Sequence, residues 1–360
     1  MRKYDRKISN YGSKFIKAAL MRTLHQLFRS RTLMATLTFL CLLSSGFCQT
    51  TLTIATTMPA NSLWGKALKA WANQVEDLSK SELVFKIFDN GAQGNEPEMV
   101  QKMKSKQLDG ALLTAPGLQQ INVNFLLFQM PGLFNTWTQL DTVRNNAGLQ
   151  TELNALFDQQ GFINIGWGGD TGQSKIMSHQ IPVSMPIDLK KGACADFSGD
   201  PILPAMFNQI QGVNVVSLTI PAVLPNLSVG RVSIIITPSS LAKQFQWSSK
   251  ITDINTLTIA FNIGAIVFSK ASVEALTPEL KTMLLTTGKE AAENLNTKSR
   301  SADQQAFDIL KTKTSTVDSE GLALDAWQKI FTATQQDLKG NPFLPALWEQ
   351  VVNLANAARQ

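Results

Sequence analysis

Histidine and cysteine are scarce in this sequence, and their scarcity excludes several classes of enzyme. The 360 residues include two histidines and three cysteines. His179 is the only histidine beyond residue 48, and no cysteine or acidic residue stands at ligand spacing from it. Zinc sites and Ser–His–acid triads usually need one or more histidines together with partner side chains. We therefore predict a protein that is not an enzyme, with no catalytic residue, no metal site and no cofactor.

Cysteines that could pair are also lacking. Cys41 and Cys48 lie in or at the edge of an N-terminal leader, which leaves Cys194 alone in the remainder. A domain of this size does not need a disulfide for its stability, even in an oxidising compartment. We predict no intrachain disulfide.

Phosphate loops and carboxylate pairs lack their usual patterns. Residues 91–94 include two glycines, but no Lys-Ser/Thr pair follows and the Rossmann glycine spacing is absent. This segment is interpreted as a turn before a helix. Asp196 and Asp200 are close in sequence, but their position around Gly199 and Pro201 favours turn residues rather than a catalytic pair.

Charge is sparse and unevenly placed. Charged residues make up 17% of the chain, and the formal net charge is +6. Nine of the 33 basic residues and one of the 27 acidic residues lie in residues 1–48, which leaves 24 basic and 26 acidic residues beyond them. A nucleic-acid-binding domain needs a basic face, so we predict no nucleic-acid partner.

Long apolar runs are absent except at the N-terminus. Basic residues precede an eleven-residue apolar run at 33–43, and small residues follow it. This order is typical of a secretory signal, and the run is shorter than the roughly 20 residues of a membrane-spanning helix. We predict a signal peptide over residues 1–48, with translation possible from Met21, and a periplasmic mature protein. The alternatives are an uncleaved anchor and a lipid attached at Cys41 or Cys48.

Strand and helix patterns alternate in the first part of the body. β-Branched and aromatic residues favour strands at 51–57, 83–88 and 108–114, and apolar residues at helical spacing lie between them. Ser62 is a good N-cap for the first helix. This order predicts parallel strands joined by right-handed crossovers in an open α/β sheet.

The middle and the end of the chain have different patterns. Six prolines from Pro182 to Pro225 separate short segments, which we interpret as extended strands of a second lobe. Another strand or strand pair is expected at 259–268. A helical pattern then begins at Thr277–Pro278 and continues to about Lys313, long enough to brace two lobes.

Several aromatic residues stand next to turns rather than inside strands. Ligands of open α/β folds bind beyond the carboxyl ends of the strands, and strand ends are expected near Thr114 and Trp167. Several aromatic residues at such ends favour a ligand-binding cleft over simple core packing. They are Trp64, Phe134, Trp167, Phe197 and Trp247.

A series of short segments carries a family resemblance through its order and spacing. The segments are residues 51–59, 63–67, 88–94, 108–112, 130–134, 166–167 and 186–190. Together they resemble the DctP-type solute-binding subunits of tripartite ATP-independent periplasmic (TRAP) transporters. The resemblance runs from about residue 51 to the C-terminus.

The resemblance implies a two-lobed α/β fold like that of periplasmic binding proteins, with mixed sheets, strands that cross between lobes and a long C-terminal bracing helix. We predict lobe I over residues 49–170, lobe II over residues 171–260, and a crossover strand and bracing helices over residues 261–360. The implied function is capture of a small solute by lobe closure and its delivery to a TRAP membrane permease. A sensory or scaffold protein of the same fold is the alternative.

Two segments depart from the family pattern. The family has an arginine, which pairs with the ligand carboxylate, at the end of the segment that corresponds to residues 188–195, and Ala195 stands there. The family has glutamate and asparagine where this chain has Ile236 and Thr237. The resemblance is therefore to a divergent subtype that lacks the ligand-binding arginine.

These departures change the expected ligand. A carboxylate removed from water needs a paired cation or several donors, and arginine supplies two parallel hydrogen bonds. Without it we expect an uncharged or apolar ligand, and the alternative is an organic acid anchored by Arg231. The resemblance also implies a subtype with an apolar cleft and a periplasmic partner built from TPR repeats.

We predict that eight residues line the cleft, the aromatic ones through apolar contact and Thr114, Asp170 and Thr237 through polar contact. They are Trp64, Thr114, Trp167, Asp170, Ala195, Phe197, Ile236 and Thr237.

Overall fold

The computed structural model describes residues 49–197 and 199–359, so the predicted signal peptide lies outside the described residues. No helix in these two ranges is both long and apolar enough to cross a membrane. The strands of this part of the chain are β1 (Thr50–Ala55), β2 (Leu83–Phe88), β3 (Gly110–Leu113), β4 (Phe162–Gly166), β5 (Gly172–Ser178), β6 (Ala193–Asp196), β7 (Asn214–Ser217), β8 (Ile234–Pro238), β9 (Asp253–Asn255), β10 (Ala260–Asn262), β11 (Ala265–Ser269) and β12 (Ser315–Val317).

The α-helices of the same ranges alternate with these strands. They are α1 (Leu63–Leu78), α2 (Glu96–Lys104), α3 (Ala115–Ile121), α4 (Trp137–Arg144), α5 (Ala147–Gln159), α6 (Ile202–Ile210), α7 (Ile220–Ser228), α8 (Ser239–Gln244), α9 (Lys270–Glu274), α10 (Pro278–Lys311), α11 (Leu322–Leu338) and α12 (Pro345–Ala357). Short 3₁₀ helices span Val123–Gln129, Pro186–Lys191 and Trp247–Lys250.

The first sheet has five strands in the order β2-β1-β3-β11-β4. β1 pairs in parallel with β2 and with β3, which confirms the parallel βαβ units predicted from the first part of the body. β11 is antiparallel to both of its neighbours, β3 and β4. The sheet is therefore mixed, because a strand from late in the chain is inserted into it. We call this sheet and the helices packed on it the first lobe.

The helices of the first lobe follow their local sequence signals. The Ser62 hydroxyl accepts a hydrogen bond from the Gly65 amide at 3.1 Å, which confirms the predicted N-cap of α1. Leu68, Trp71 and Val75 of α1 are buried, as expected for residues spaced along one helical face.

The second sheet has seven strands, with β12-β9-β5-β8-β6-β7 in order and β10 paired to β5. We call it, with its helices, the second lobe. The chain enters this sheet from β4 to β5, returns from β10 to β11, and adds β12 after α10. Strands therefore cross between two mixed sheets, as the predicted fold class requires.

The proline-rich middle contains more helix than its sequence suggested. Pro204 lies in the first turn of α6, Pro221 lies in the first turn of α7, and Pro225 lies inside α7. The predicted short strands are present as β6, β7 and β8, and α6 and α7 are helices that the sequence interpretation did not include. Proline is tolerated in the first turn of a helix because the amide groups there have no intrahelical partner.

The longest helix connects the cores of both lobes. α10 has 34 residues, or roughly 50 Å at 1.5 Å per residue. Leu284 packs in the apolar cluster that contains Ile165 and Ile266 of the first sheet. Leu310 packs in the cluster that contains Ile254 of the second sheet. This arrangement confirms a C-terminal helix that braces both lobes.

Candidate functional site

Two connections between the sheets run side by side. The amide of Gly168, after β4, donates to the carbonyl of Gly264 at 3.0 Å, and the amide of Thr171 donates to the carbonyl of Asn262 at 3.0 Å. The crossing from β4 to β5 is thus bonded to the crossing from β10 to β11. We call residues 167–171 the crossing loop.

Glycines in the crossing loop allow close packing. A Cβ atom on Gly168 would lie 2.5 Å from the Cα atom of Ala292 in α10, which is far inside a normal contact. A Cβ atom on Gly169, where φ is +87°, would lie 3.0 Å from the ring of Trp64. Predicted site residue Trp64 is therefore buried against the crossing loop, on the first-lobe side.

Asp170 lies fully buried in the crossing loop between two arginines. Arg144 of α4 donates Nη1 to Oδ1 of Asp170 at 3.0 Å, and Arg300 of α10 donates Nε to Oδ2 at 3.1 Å. Both arginines also pair with Asp141, at 2.9 and 2.6 Å. The Asp170 amide donates to the side chain of Asn296 at 2.9 Å. These four charged residues, which we call the crossing-loop network, tie α4 and α10 to the crossing.

Two members of this network, Asp141 and Arg300, have pKa values shifted in the direction that favours their charged forms. Burial acts to raise the pKa of Asp141, but hydrogen bonds from Arg300 and the charges of both arginines outweigh it and hold the pKa below its usual range. Burial likewise opposes the charge of Arg300, yet Asp141 and Asp170 raise the pKa of its guanidinium. Asp170 is thus occupied by protein partners, which favours a positioning role over direct ligand contact.

Trp167 begins the crossing loop as part of an aromatic cluster. Its ring meets those of Phe125, Phe128 and Phe157 edge-on, with centroids 5.6 to 5.9 Å apart. Only 8% of the residue is exposed, and its indole N–H has no hydrogen-bond partner. The side chain of Trp167 is therefore mostly part of the core, and its indole N–H is the one polar group that makes no hydrogen bond.

Thr114 stands where β3 ends and α3 begins, on the first-lobe side of the crossing. Its amide and hydroxyl donate to the two carboxylate oxygens of Glu96 at 2.7 and 2.8 Å, and the Gly117 amide donates to Glu96 at 3.0 Å. Glu96 therefore caps α3 from α2. Burial raises the pKa of Glu96, against the opposing effect of these three hydrogen bonds. Sequence reasoning missed Glu96, because its partners lie 18 and 21 residues away.

Apolar side chains join the two lobes near these strand ends. One buried cluster includes Ala55 at the end of β1 and Ala115 after β3, together with Ile202 and Ala205 of α6 and Phe261 of β10. Residues from the carboxyl ends of first-lobe strands therefore pack in the same core as residues of the second lobe. The surface between the lobes is apolar here.

Two polar contacts also join the lobes. The Gln119 side chain of α3 donates to the Gly199 carbonyl at 2.9 Å. The Gln244 side chain of α8 lies 3.3 Å from the sulfur of Met58. Both contacts link elements at the carboxyl ends of strands.

Ala195 and Phe197 lie together in the second lobe. Ala195 is 1% exposed and packs in the cluster that includes Trp247. The ring of Phe197 meets that of Trp247 edge-on, with centroids 4.9 Å apart. The position expected to hold an arginine is thus part of an apolar, aromatic wall.

Ile236 and Thr237 face opposite sides of the second sheet. Ile236 packs with Ile176 and Trp327 in one cluster, whereas Ala195 packs with Ile235 in the cluster on the other side. Because successive residues of a strand alternate between faces, the side chain of Thr237 lies on the side of Ile235 and Ala195. The structure does not bring Ile236 and Ala195 to a common surface.

Two hydroxyl groups at the end of β8 are buried without a partner. They belong to Thr237, which is 1% exposed, and Ser239, which is fully buried. Buried polar groups are normally hydrogen-bonded, so these two are candidates for contact with a ligand. Ser239 was not among the predicted site residues, because the sequence does not show that its hydroxyl is buried without a partner.

Buried positive charge is rare and already paired. Arg144 and Lys175 are the only buried basic residues in the described part of the chain. The Lys175 ammonium donates to the Thr256 carbonyl at 2.7 Å and to the Thr258 hydroxyl at 2.8 Å. Burial is the main cause that lowers its pKa to about 8. Both side chains are held by protein partners, although Nε of Arg144 makes no hydrogen bond.

Arg231, the alternative anchor for a carboxylate, lies before the amino-terminal end of β8. It is exposed and stands six residues before Thr237. Arg231 lies in a bend, three residues before β8 begins at Ile234. A role for Arg231 as the anchor of an organic acid stays a prediction.

Candidate metal ligands and the residual histidine and cysteine were located in the described residues. No set of three or more His, Cys, Asp or Glu side chains there is arranged to hold a metal. His179 is exposed, with Nδ1 2.9 Å from the Lys250 carbonyl. Cys194 is buried and free, and burial raises the pKa of its thiol to about 12.

A family model matches most of the chain. The model for bacterial extracellular solute-binding proteins, family 7 (DctP), matches residues 54–339. The 2,3-diketo-L-gulonate-binding periplasmic protein YiaO of Escherichia coli is 23% identical over 244 residues, covering 66% of this chain and 71% of that protein. The uncharacterized protein YiiZ of Salmonella typhimurium is 24% identical over 124 residues, and that match spans only 38% of its length.

Solved structures show the same fold. A TRAP periplasmic solute-binding protein from Desulfovibrio salexigens with bound orotic acid has a TM-score of 0.75 at 17% identity, covering 86% of this chain and 98% of that one. The sugar acid binding protein DctPAm from Advenella mimigardefordensis in complex with galactonate has a TM-score of 0.77 at 17% identity, with the same coverage. The two-lobed α/β architecture is therefore that of TRAP solute-binding proteins.

Proposed function

Since this chain belongs to the bacterial extracellular solute-binding proteins of family 7 (DctP), we propose that it captures a small uncharged or largely apolar solute between its lobes and delivers it to a TRAP-type permease. The proposed lobes are residues 49–170 and 171–260, with residues 261–360 bracing both. The proposed site in the first lobe consists of Trp64, Thr114 and the strand end at Trp167. In the second lobe it consists of Ala195, Phe197 and the end of β8.

The environment of Ala195 is the observation that carries the ligand class. The side chain is fully enclosed by the apolar cluster around Trp247, and the buried basic residues elsewhere are already paired. A carboxylate brought to this wall would lose water without gaining a cation, at a cost of several kcal/mol. Apolar ligand surface would instead gain about 25 cal/mol per Å² buried.

The ligands of two similar proteins of known structure differ in class from the ligand proposed for this chain, and the difference can be tested. The proteins from D. salexigens and A. mimigardefordensis hold orotic acid and galactonate, both of them acids. Our proposal is that this chain has kept the fold while its ligand has changed. The hydroxyls of Thr237 and Ser239 would serve a carbonyl, amide or hydroxyl group of a neutral ligand. Proposed site residues Asp170 and Ile236 would act indirectly, through the crossing loop and the core.

A matched pair of ligands tests the charge preference. Phenylacetamide and phenylacetate have nearly the same shape and differ in charge, so calorimetry with both isolates the electrostatic contribution. We expect the amide to bind at least tenfold more tightly, a difference of about 1.4 kcal/mol. Succinate serves as the dicarboxylate comparison and is expected to be the weakest of the three. Tight binding of succinate or phenylacetate with no binding of the amide would contradict the proposed ligand class.

Native mass spectrometry of the purified protein tests binding without choosing a ligand. We expect a co-purified neutral molecule with substantial apolar surface. Release of an organic acid at stoichiometric amounts would overturn the ligand class, and a protein that never retains or binds any solute would overturn the binding function itself.

The transport role rests on family membership, and its test is genetic. We expect genes for the TRAP membrane subunits beside the gene for this chain, and loss of solute uptake when either is deleted. A gene whose deletion alters signalling but leaves uptake unchanged would favour the sensory alternative. A partner built from TPR repeats remains an implication of the resemblance.

A further inference from the structure

A polar groove of about 660 Å³ lies beside β4, between α5 and α10. It is separate from the proposed cleft, with Trp167 as the one residue in common. Its lining residues come from the α4–α5 region, from β4 and from one face of α10. They are Asp141, Arg144, Asn145, Gln150, Asn154, Asn164, Ile165, Gly166, Trp167, Lys289, Ala292, Glu293, Asn296, Thr297 and Arg300.

The floor of the groove is the free edge of the first sheet. β4 is the last strand in the sheet order and pairs only with β11. Four consecutive residues, 164–167, line the groove. Side chains of a strand alternate between faces, so consecutive lining residues mean that the groove follows the strand edge rather than one face.

The strand edge is irregular at this point. Ile266 of β11 pairs with Gly166, whereas the next residue, Val267, pairs with Asn164. Ile165 is thus the extra residue of a β-bulge, which interrupts the ladder and re-aims neighbouring side chains. A bulged edge is a poor template for another strand, which disfavours an extended peptide as the occupant.

The charged end of the groove is internally neutralised. Arg144 and Arg300 are paired with Asp141 and Asp170 in the crossing-loop network. Gln150 donates its side-chain amide to the Arg144 carbonyl. These ion pairs neutralise the charge of both arginines, and the unpartnered Nε of Arg144 is the one guanidinium donor of Arg144 that they leave unused.

Unused polar groups line the rest of the groove. The side chains of Asn145, Asn154 and Asn164 make no hydrogen bond with the described protein, and Oδ1 of Asn164 is also buried. Lys289 and Glu293, one turn apart on α10, form no ion pair with the described residues. The unused set contains three amides, each able to donate and accept, and one charge of each sign.

We propose that this groove is a second binding site, for a neutral polyhydroxylated molecule of monosaccharide to disaccharide size. The lining contains three cationic and two anionic side chains. Asp170, which bonds both arginines, adds a third negative charge. The groove is therefore neutral overall, and its net charge favours neither a cation nor an anion. Hydroxyl groups both donate and accept, as the three free amides do. The volume falls in the usual range for small-molecule sites, about 300 to 1,000 Å³. This site is independent of the solute cleft and of the ligand proposed for it.

Side-chain amide NMR signals test the site directly. Trehalose and myo-inositol serve as neutral probes, and glucosamine and glucuronate as charged counterparts of similar shape. We expect the neutral probes to cause saturable shifts of the Asn145, Asn154 and Asn164 amide signals, at concentrations at least tenfold lower than the charged ones. Saturable shifts by a charged probe alone would overturn the ligand class, and no saturable shift by any probe would overturn the site.

Three variants complete the test. Asn154→Ala changes an exposed residue of α5, so the protein should fold, and we expect at least a tenfold loss of affinity for the neutral probe. Asn164→Ala should lose as much or more. Asn214→Ala, an exposed asparagine on β7 in the other lobe, is the matched control and should leave affinity unchanged. Unchanged affinity in Asn154→Ala and Asn164→Ala would overturn the assignment.

Discussion

At the scale of single residues, Asp170 illustrates how a buried charge is kept in place. It is fully buried and receives hydrogen bonds from Arg144 and Arg300. A buried ion pair adds little net stability compared with apolar packing, but removing one partner leaves buried charge incompletely compensated, at a cost of about 3–5 kcal/mol. The structural role of Asp170 is to hold the crossing loop against α4 and α10.

We predict that Asp170→Asn lowers the free energy of unfolding by about 3–5 kcal/mol, because two arginines lose a shared buried carboxylate. Urea denaturation of the mature protein measures this. Asp308→Asn, which removes an exposed carboxylate of α10 paired with Lys311, is the control and should change stability little. A loss in Asp170→Asn no larger than in the control would contradict the structural role of the network.

Glu96 gives a prediction with a defined pH dependence. Burial raises the folded-state pKa of this carboxyl above its ordinary value of 4.5. The folded state therefore binds more protons than the unfolded state between 4.5 and the raised folded pKa, so this residue's contribution to stability falls as pH rises through that window. Glu96→Gln removes the titration but keeps the shape.

We therefore expect the stability of the wild type relative to Glu96→Gln to decrease as pH increases from about pH 4 to about pH 8. Urea unfolding of both proteins across this range measures the difference. A difference that stays constant, or that grows in favour of the wild type at higher pH, would show that the hydrogen bonds from Thr114 and Gly117 dominate over burial.

At the scale of elements, the close approach of α10 to the crossing loop depends on glycine. Gly168 lies so near the α10 backbone that a Cβ atom would come within 2.5 Å of the Ala292 Cα atom. Backbone atoms cannot move aside as a flexible side chain can, so the helix or the loop must shift. Overpacking of this kind costs roughly 1–3 kcal/mol.

We predict that Gly168→Ala destabilises the protein by about 1–3 kcal/mol and weakens solute binding, since both lobes meet at the crossing loop. Gly148→Ala in α5 is the control, because a Cβ atom there meets nothing closer than 3.4 Å. Alanine is about 0.5–1 kcal/mol better than glycine inside a helix, so the control should be neutral or stabilising. Thermal and urea unfolding of both variants would settle the comparison, and equal stability of the two would disprove the steric argument.

At the scale of the whole molecule, the lobes are held together by an apolar cluster and few polar contacts. The hydrogen bond from Gln119 to the Gly199 carbonyl is one of them. In the proposed mechanism the lobes open and close as a two-state equilibrium, and one net hydrogen bond contributes about 0.5–1.5 kcal/mol. Its loss should shift the ratio of open to closed molecules.

We predict that Gln119→Ala raises the open-to-closed ratio about two- to twelvefold. Spin labels at Lys69→Cys and Lys190→Cys, one on each lobe, report the distance distribution, and buried Cys194 stays unlabelled. Gln120→Ala, an exposed neighbour on the same helix, is the control. Identical distributions in Gln119→Ala and the control would mean that this contact does not bias closure.

A saturating solute should shift the same distribution towards shorter distances and reduce the radius of gyration in small-angle scattering. Differential affinity for the closed state is the only source of such a shift. An unchanged radius of gyration with a verified, bound ligand would contradict hinge closure.

The sequence by itself determined the features that depend on local spacing. The strands at 51–57, 83–88 and 108–114, the N-cap Ser62 and the long helix from Pro278 all follow from periodicity and capping, which involve neighbours a few residues apart. The α/β class and the family follow from the order of such segments. The same local rule also implied that consecutive residues Ile236 and Thr237 could not share one face of a strand.

Tertiary structure alone decided which distant residues meet. Asp170 finds its partners 26 and 130 residues away along the chain, and Glu96 caps a helix that begins 19 residues later. It also decided that Ala195 lies in an apolar wall. These outcomes depend on how the sheets and α10 pack, and side-chain spacing in the sequence carries no information about contacts that only packing creates.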